Sequence, residues 1–229
     1  MSNLIERLKS EELVISGRLI DASNATLFGN LKDDDSFQII YKPIAGERPL
    51  WDFPDGSLAA RELAAYIFSE IFGFNIVPPT VLREGPYGFG MVQQWISDSQ
   101  PENLIEIAQS ESKDLRKMVF FDSLINNADR KYGHILIDKD GEILGCDHGI
   151  AFHSEDKLRT VLWQFSGEKL IQSEIDLLVK IIDFDLKEFE DLLTPEEISA
   201  IYLRAKRLLQ DGKLPSPAKD RPSIPWPPV

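Results

Sequence analysis

The chain has 229 residues, 43% of them hydrophobic and 28% charged, a composition that can bury a sizeable core and argues against disorder. Its 38 acidic residues outnumber its 25 basic ones, giving a net charge of -13, so neither nucleic acid nor an anionic membrane surface is expected as the main partner. A single cysteine, Cys146, permits no intrachain disulfide, and no apolar run reaches the roughly 18 residues of a transmembrane segment, so a cytoplasmic protein is expected.

The first predicted element is a short amphipathic helix over Leu4–Glu12. Three runs with strand character follow: Leu13–Ile20, Ala25–Leu31 and Phe37–Ile44. The polar turns Asp21–Asn24 and Lys32–Asp35 separate them, which predicts an antiparallel meander. Pro43–Asp55 is irregular. Ser57 is placed to cap a helix over Leu58–Phe72, in which Leu58, Leu63, Ile67 and Ile71 keep helical spacing and which Gly73 stops. Trp51, just before that helix, reads as a core anchor. Ile76–Arg83 and Met91–Ile96 are predicted as two further strands.

The second half changes character. Helices are predicted over Glu102–Gln109, Lys113–Asn126, Glu155–Phe165, Glu174–Ile182, Leu186–Leu192 and Pro195–Gln210. Thr194 and Glu197 form a capping box for the last of these. One hairpin, His134–Asp138 and Glu142–Cys146, turns at Lys139-Asp140-Gly141. The end, PSPAKDRPSIPWPPV, is too rich in proline for regular hydrogen-bonded structure. The pattern predicts an α+β protein in two lobes: a β-rich N-lobe over 1–96, a helical C-lobe over 97–214, and a Pro-rich tail over 215–229.

The chemistry-bearing residues concentrate in one stretch. His134, His148 and His153 are the only histidines, and Asp129, Cys146 and Asp147 lie among them. Ionisable groups beside apolar strand residues are costly unless they are used. A hairpin with His134 at its start and Asp147 just past its end brings the two together, a pair able to chelate a divalent cation.

Asp129-Arg130-Lys131-Tyr132-Gly133-His134 has the spacing of a kinase catalytic loop, in which Asp is followed five residues later by a metal ligand. Cys146-Asp147-His148-Gly149 resembles the Asp-x-Gly metal motif. Together they look most like the phosphatidylinositol 3-/4-kinase-like group, and Asn127-Ala128-Asp129 also resembles HipA-like kinases. The resemblance implies a two-lobed protein-kinase-like fold and transfer of the ATP γ-phosphate to a protein or small-molecule hydroxyl. It implies that Lys42, paired with Glu62, holds phosphates, and that Ser23 and Asn24 occupy the phosphate-loop position. Gln93, Gln94 and Trp95 would form the adenine-contacting hinge. His134 and Asp147 would hold Mg or Mn, Asp129 would take the acceptor proton, and Arg130 or Lys131 would offset charge on the transferred group. Two departures stand out. His134 replaces the usual Asn, which suits Mn²⁺ or a softer ion better than Mg²⁺, and there is no Gly-x-Gly-x-x-Gly loop. The alternatives are a nucleotide-binding pseudokinase and a metal-dependent hydrolase built on Asp129, His134, Asp147, His148 and His153.

Overall fold

The computed structural model describes residues 2–19 and 24–229. Helix α1 (Ser2–Ser10) is followed by strands β1 (Leu13–Arg18), β2 (Leu27–Leu31) and β3 (Asp34–Pro43), then helix α2 (Leu58–Ile71), then β4 (Thr80–Gly85) and β5 (Gly88–Gln94). The five strands form one antiparallel sheet in the order β1-β2-β3-β5-β4. Period-two alternation along β3 decides what faces where. Ile39 and Tyr41 point to one side, into a cluster with Leu8, Leu13, Leu31, Val81 and Val92 beneath α1. Ile40 and Lys42 point to the other side, where the main cleft lies.

The sequence pattern places β4 four residues too early. Pro78 and Pro79 carry no backbone N–H, so the ladder starts at Thr80 rather than Ile76. Helix α2 begins where expected, but Ser57 does not cap it. The Glu47 carboxylate does, accepting from the N–H groups of Leu58 (3.2 Å) and Ala59 (2.9 Å). Trp51 is 92% exposed rather than buried, with the Lys157 ammonium 5.0 Å above its ring.

The remaining chain contains α3 (Leu104–Ala108), α4 (Lys113–Ile125), a short hairpin of β6 (Ile135–Ile137) and β7 (Ile143–Gly145), α5 (Gln172–Asp183) and α6 (Pro195–Asp211). Their apolar faces meet α2 in one large core. Phe68 of α2 is its hub, with Phe72, Phe74, Phe121, Phe152 and Phe189 all within 6.3 Å, centroid to centroid.

Two predicted helices are absent. Residues 155–165 run extended apart from a 3-10 turn at Trp163–Phe165. Their backbone groups are spent elsewhere: Arg159 N–H donates to Asn127 O, Arg130 N–H to Arg159 O, and Val161 N–H to Arg130 O. Leu186–Phe189 makes only a 3-10 turn. The capping box of α6 forms as the sequence indicates, between Thr194 and Glu197. Residues 214–229 carry no helix or strand and run back over the helical half. Ser223 O accepts from Thr160 N–H and Trp163 Nε1, and Pro228 O accepts from Tyr132 N–H. Among the described residues no helix is long and apolar enough to cross a membrane.

Arg61 of α2 and Glu197 of α6 form a buried ion pair at 2.6 Å, with Arg61 also donating to Ala151 O. Removing one partner of such a pair strands the other charge away from water. Glu197→Ala is expected to destabilise the protein by about 3–5 kcal/mol, read as a lowered urea midpoint. A loss below about 1 kcal/mol, the size of a cap alone, would show that Arg61 finds another partner.

Candidate functional site

A cavity of about 620 Å³ opens between the sheet and the β6–β7 hairpin. Thr26 and Ile40 form its sheet side, Leu136 and Cys146 its hairpin side, and Gln94, Trp95 and Ile96 close it where the chain leaves β5. Lys42 enters from β3. Its Nζ lies 2.6 Å from Glu62 Oε1 and 2.7 Å from Asp147 Oδ1. Burial alone would lower the Lys42 pKa, but the Asp147 and Glu62 carboxylates outweigh it and the ammonium is held charged. The second oxygen of Glu62 accepts the His148 N–H at 2.9 Å. Glu62 therefore fixes both the lysine and the chain after Asp147, and does not itself line the cavity.

Asp147 sits in left-handed backbone, φ 58°, a conformation that Asp tolerates better than most residues. Its side chain is 45% exposed and faces the cavity. Enclosure raises its pKa, but Lys42 overrides this and holds the carboxyl well below the usual carboxylate range.

His134 completes the pair. Its Nδ1 lies 2.8 Å from the Asp129 carbonyl oxygen. A carbonyl can only accept, so Nδ1 carries the proton. Burial lowers the His134 pKa, which keeps the ring neutral near pH 7. Nε2 is then an unprotonated donor atom, 3.3 Å from the Asp147 carboxylate oxygen Oδ2. Two lone pairs facing each other at that distance repel unless a cation lies between them. The donor set, one imidazole nitrogen and one carboxylate, fits a divalent ion that takes its other ligands from water and phosphate.

Asp129 stands beside this pair, its carboxylate 3.4 Å from Lys131 Nζ. Burial raises its pKa. Lys131 lines the cavity and Arg130 does not. Arg130, expected from the sequence to offset charge on a transferred group, is fully buried, facing away. Its guanidinium clamps Asp122 with Nε (2.8 Å) and Nη2 (2.9 Å), donates from Nη1 to His134 O and Cys146 O, and meets His148 Nε2 at 2.7 Å. That engages every N–H a guanidinium has and leaves none for a substrate. Lys131 is the cation that the cleft receives. Asp122, an acid directly after the apolar run Val119-Phe120-Phe121, is the sequence signal of this network.

The other expected residues divide. Gln94 and Trp95 line the cavity, with their N–H groups already donated to Pro79 O and Gln38 O. Gln93 lines it too, although its amide donates to Thr80 Oγ1 at 2.8 Å. Asn24 is turned away, its side-chain oxygen accepting the Arg48 N–H at 2.9 Å. Ser23 lies outside the described residues. His148 is committed to Arg130, and His153 Nε2 meets Asp52 O at 2.9 Å. Among the described residues no group of three or more His, Cys, Asp or Glu side chains is placed to hold a metal ion. A transition-metal hydrolase centre needs such a group.

No family model matches the chain. It is 39% identical to Protein Rv2133c of Mycobacterium tuberculosis over an alignment of 260 positions, covering 96% of this chain and 93% of that protein. A second likeness is narrower: 28% identity over 129 residues to phosphatidylinositol 4-kinase gamma 4 of Oryza sativa subsp. japonica, spanning 48% of this chain and 23% of that one. Among solved structures it is similar to hydra Fam20 with sugar (TM-score 0.64, 14% identity, 92% of this chain and 87% of that one). It is also similar to the Golgi casein kinase with Mn and ADP bound (TM-score 0.60, 16% identity, 92% and 74%). The fold is α+β, two-lobed and protein-kinase-like, as the sequence motifs imply. The narrower phosphatidylinositol-kinase likeness rests on less than half of the chain.

The buried Arg130 and the cleft-lining Lys131 are expected to respond oppositely to mutation. Arg130→Lys cannot reproduce the fork on Asp122 and should lose about 3–5 kcal/mol of stability. Lys131→Ala, which gives up only its pairing with Asp129, should cost no more than about 1 kcal/mol. Paired urea titrations check this, and equal effects would contradict the assignment of Arg130 to the framework.

Proposed function

The chain belongs to the family of Protein Rv2133c, and from the geometry of its cleft we propose that it is an ATP-dependent phosphotransferase acting on a protein or small-molecule hydroxyl. The observation that carries this reading is the His134–Asp147 pair: an imidazole nitrogen and a carboxylate oxygen 3.3 Å apart, within reach of a lysine that is itself fixed by a buried glutamate. The kinase-like fold supports it, as do the Mn and ADP bound to the Golgi casein kinase.

In this reading Ile40 and Leu136 would flank the base, and Gln94–Ile96 would border it where the chain leaves the sheet. Lys42 holds phosphate oxygens. His134 and Asp147 would hold Mg²⁺ or Mn²⁺, which when bound would neutralise charge on the phosphates. Asp129 orients the acceptor hydroxyl and takes its proton as the oxygen bonds to the γ-phosphorus and ADP leaves with the electron pair of the broken P–O bond. The raised Asp129 pKa makes it a better base than an exposed carboxylate. Lys131, beside Asp129, balances charge on the moving phosphoryl group. Neutral imidazole as a ligand favours Mn²⁺ over Mg²⁺.

Thermal unfolding with ATP or ADP, in Mg²⁺, Mn²⁺ or no metal, tests this. A ligand at 100 times its Kd adds about 2.7 kcal/mol to stability, so a metal-dependent rise is expected in wild type and should vanish in Asp147→Ala. Asp129→Asn should keep the rise and lose roughly 10²–10⁴ in turnover. Binding without turnover in wild type would make the protein a pseudokinase. No rise with any metal would refute a nucleotide site.

A further inference from the structure

A second cavity, of about 440 Å³, lies in the helical half and shares no lining residue with the cleft. Arg204, Arg207, Lys213 and Arg221 line it, against Asp156 and Asp211. In a chain of net charge -13 this is a local reversal of sign. The cations come from α6 and from the chain after it, brought together only by the fold. Leu158 and Trp163 give the cavity an apolar wall.

The arginines are incompletely satisfied. Arg204 donates from Nε to Leu124 O and from Nη1 to His153 O, but its Nη2 is shielded from solvent and has no partner among the described residues. Nε of Arg221 is in the same state. A buried unpaired N–H costs about 1–3 kcal/mol, more on a charged group, so both guanidinium groups gain if a small shift toward an anion in the cavity uncovers these donors. Arg207 is 71% exposed and held only loosely, 3.7 Å from Asp156 and 3.8 Å from Asp211. Arg221 meets Asp156 at 3.1 Å. Asp156 thus occupies the position, between two guanidinium groups, that an external anion would take.

We propose that this cavity binds a small organic phosphate. The phosphate would meet Arg204, Arg207 and Arg221, whose forked donors match phosphate oxygens. The organic part would lie against Leu158 and Trp163. The volume suits a small metabolite. The chain links this cavity to the cleft. His153 O accepts from both Arg204 and Asn126 (2.8 Å), Asn126 caps α4 just before Asp129, and His153 follows Asp147 in the same segment. A ligand here touches the segments that hold Asp129 and Asp147.

Isothermal titration of the full chain with phenyl phosphate, inorganic phosphate and phenol tests the site. Saturable binding of phenyl phosphate is expected, tighter than either fragment. Arg207→Gln and the Arg207→Gln/Arg221→Gln pair should weaken it roughly tenfold or more. Asp156→Asn, which removes the internal competitor, should tighten it. Lys42→Ala, in the other cavity, should leave it unchanged. Loss in Lys42→Ala with retention in Arg207→Gln would place the ligand in the cleft and overturn the proposal. So would the absence of saturable binding in both wild type and Asp156→Asn. Inorganic phosphate binding as tightly as phenyl phosphate would overturn the organic part.

Discussion

The geometry of the cleft depends on one buried guanidinium. A charge with no access to water must be paired, and Arg130 is paired with Asp122 of α4. Once that is fixed, its remaining donors can be satisfied only if the carbonyls of His134 and Cys146 come to them. Those carbonyls stand at the two ends of the hairpin, one belonging to His134 itself and one to the residue before Asp147. The two candidate metal ligands are therefore placed by a desolvated cation behind them rather than by each other. Gly145 allows this approach: a Cβ there would lie 2.9 Å from Nη2 of Arg130.

Helix α2 carries the next constraint. Over two turns it presents Arg61 to α6, Glu62 to Lys42 and the chain after Asp147, and Phe68 to the aromatic core. Each contact is buried and each reaches a different element. The sheet, which brings Lys42, and the helical half, which brings Asp147, are joined through Glu62 at 2.6 and 2.9 Å. A rotation of α2 would uncouple the lysine from the carboxylate and leave Arg61 unpaired in the same movement.

How much of this was legible in the sequence differs by kind of residue. Lys42, Glu62, Asp129, His134 and Asp147 stand out because spacing along regular elements and a recurrent loop pattern constrain them; Lys42, His134 and Asp147 line the cleft, while Glu62 stands behind Lys42 and Asp129 stands beside Lys131 without lining it. Arg130 and Lys131 could not be told apart. They are neighbours in an irregular loop, where no period dictates which side chain turns inward. Asn24 is not free for a ligand for a tertiary reason, since its side-chain oxygen accepts the N–H of Arg48, 24 residues further along the chain, which nothing in the local sequence announces. The helix expected over residues 155–165 failed for a tertiary reason, since its hydrogen bonds go to residues some thirty positions earlier. The basic cavity was invisible for the same reason: Arg204 and Arg207 look like an exposed helix face until the chain after α6 folds over them.

Cys146 has a practical consequence. It is the only cysteine in the chain, and it lines the cleft immediately before Asp147. Burial pushes its thiol up to about 12, so at neutral pH it is protonated and slow to alkylate. A thiol-selective reagent, working slowly through the small thiolate fraction, therefore labels one sulfur atom in one place. The rate of that single modification is a gauge of cleft occupancy that requires no turnover and no knowledge of the acceptor.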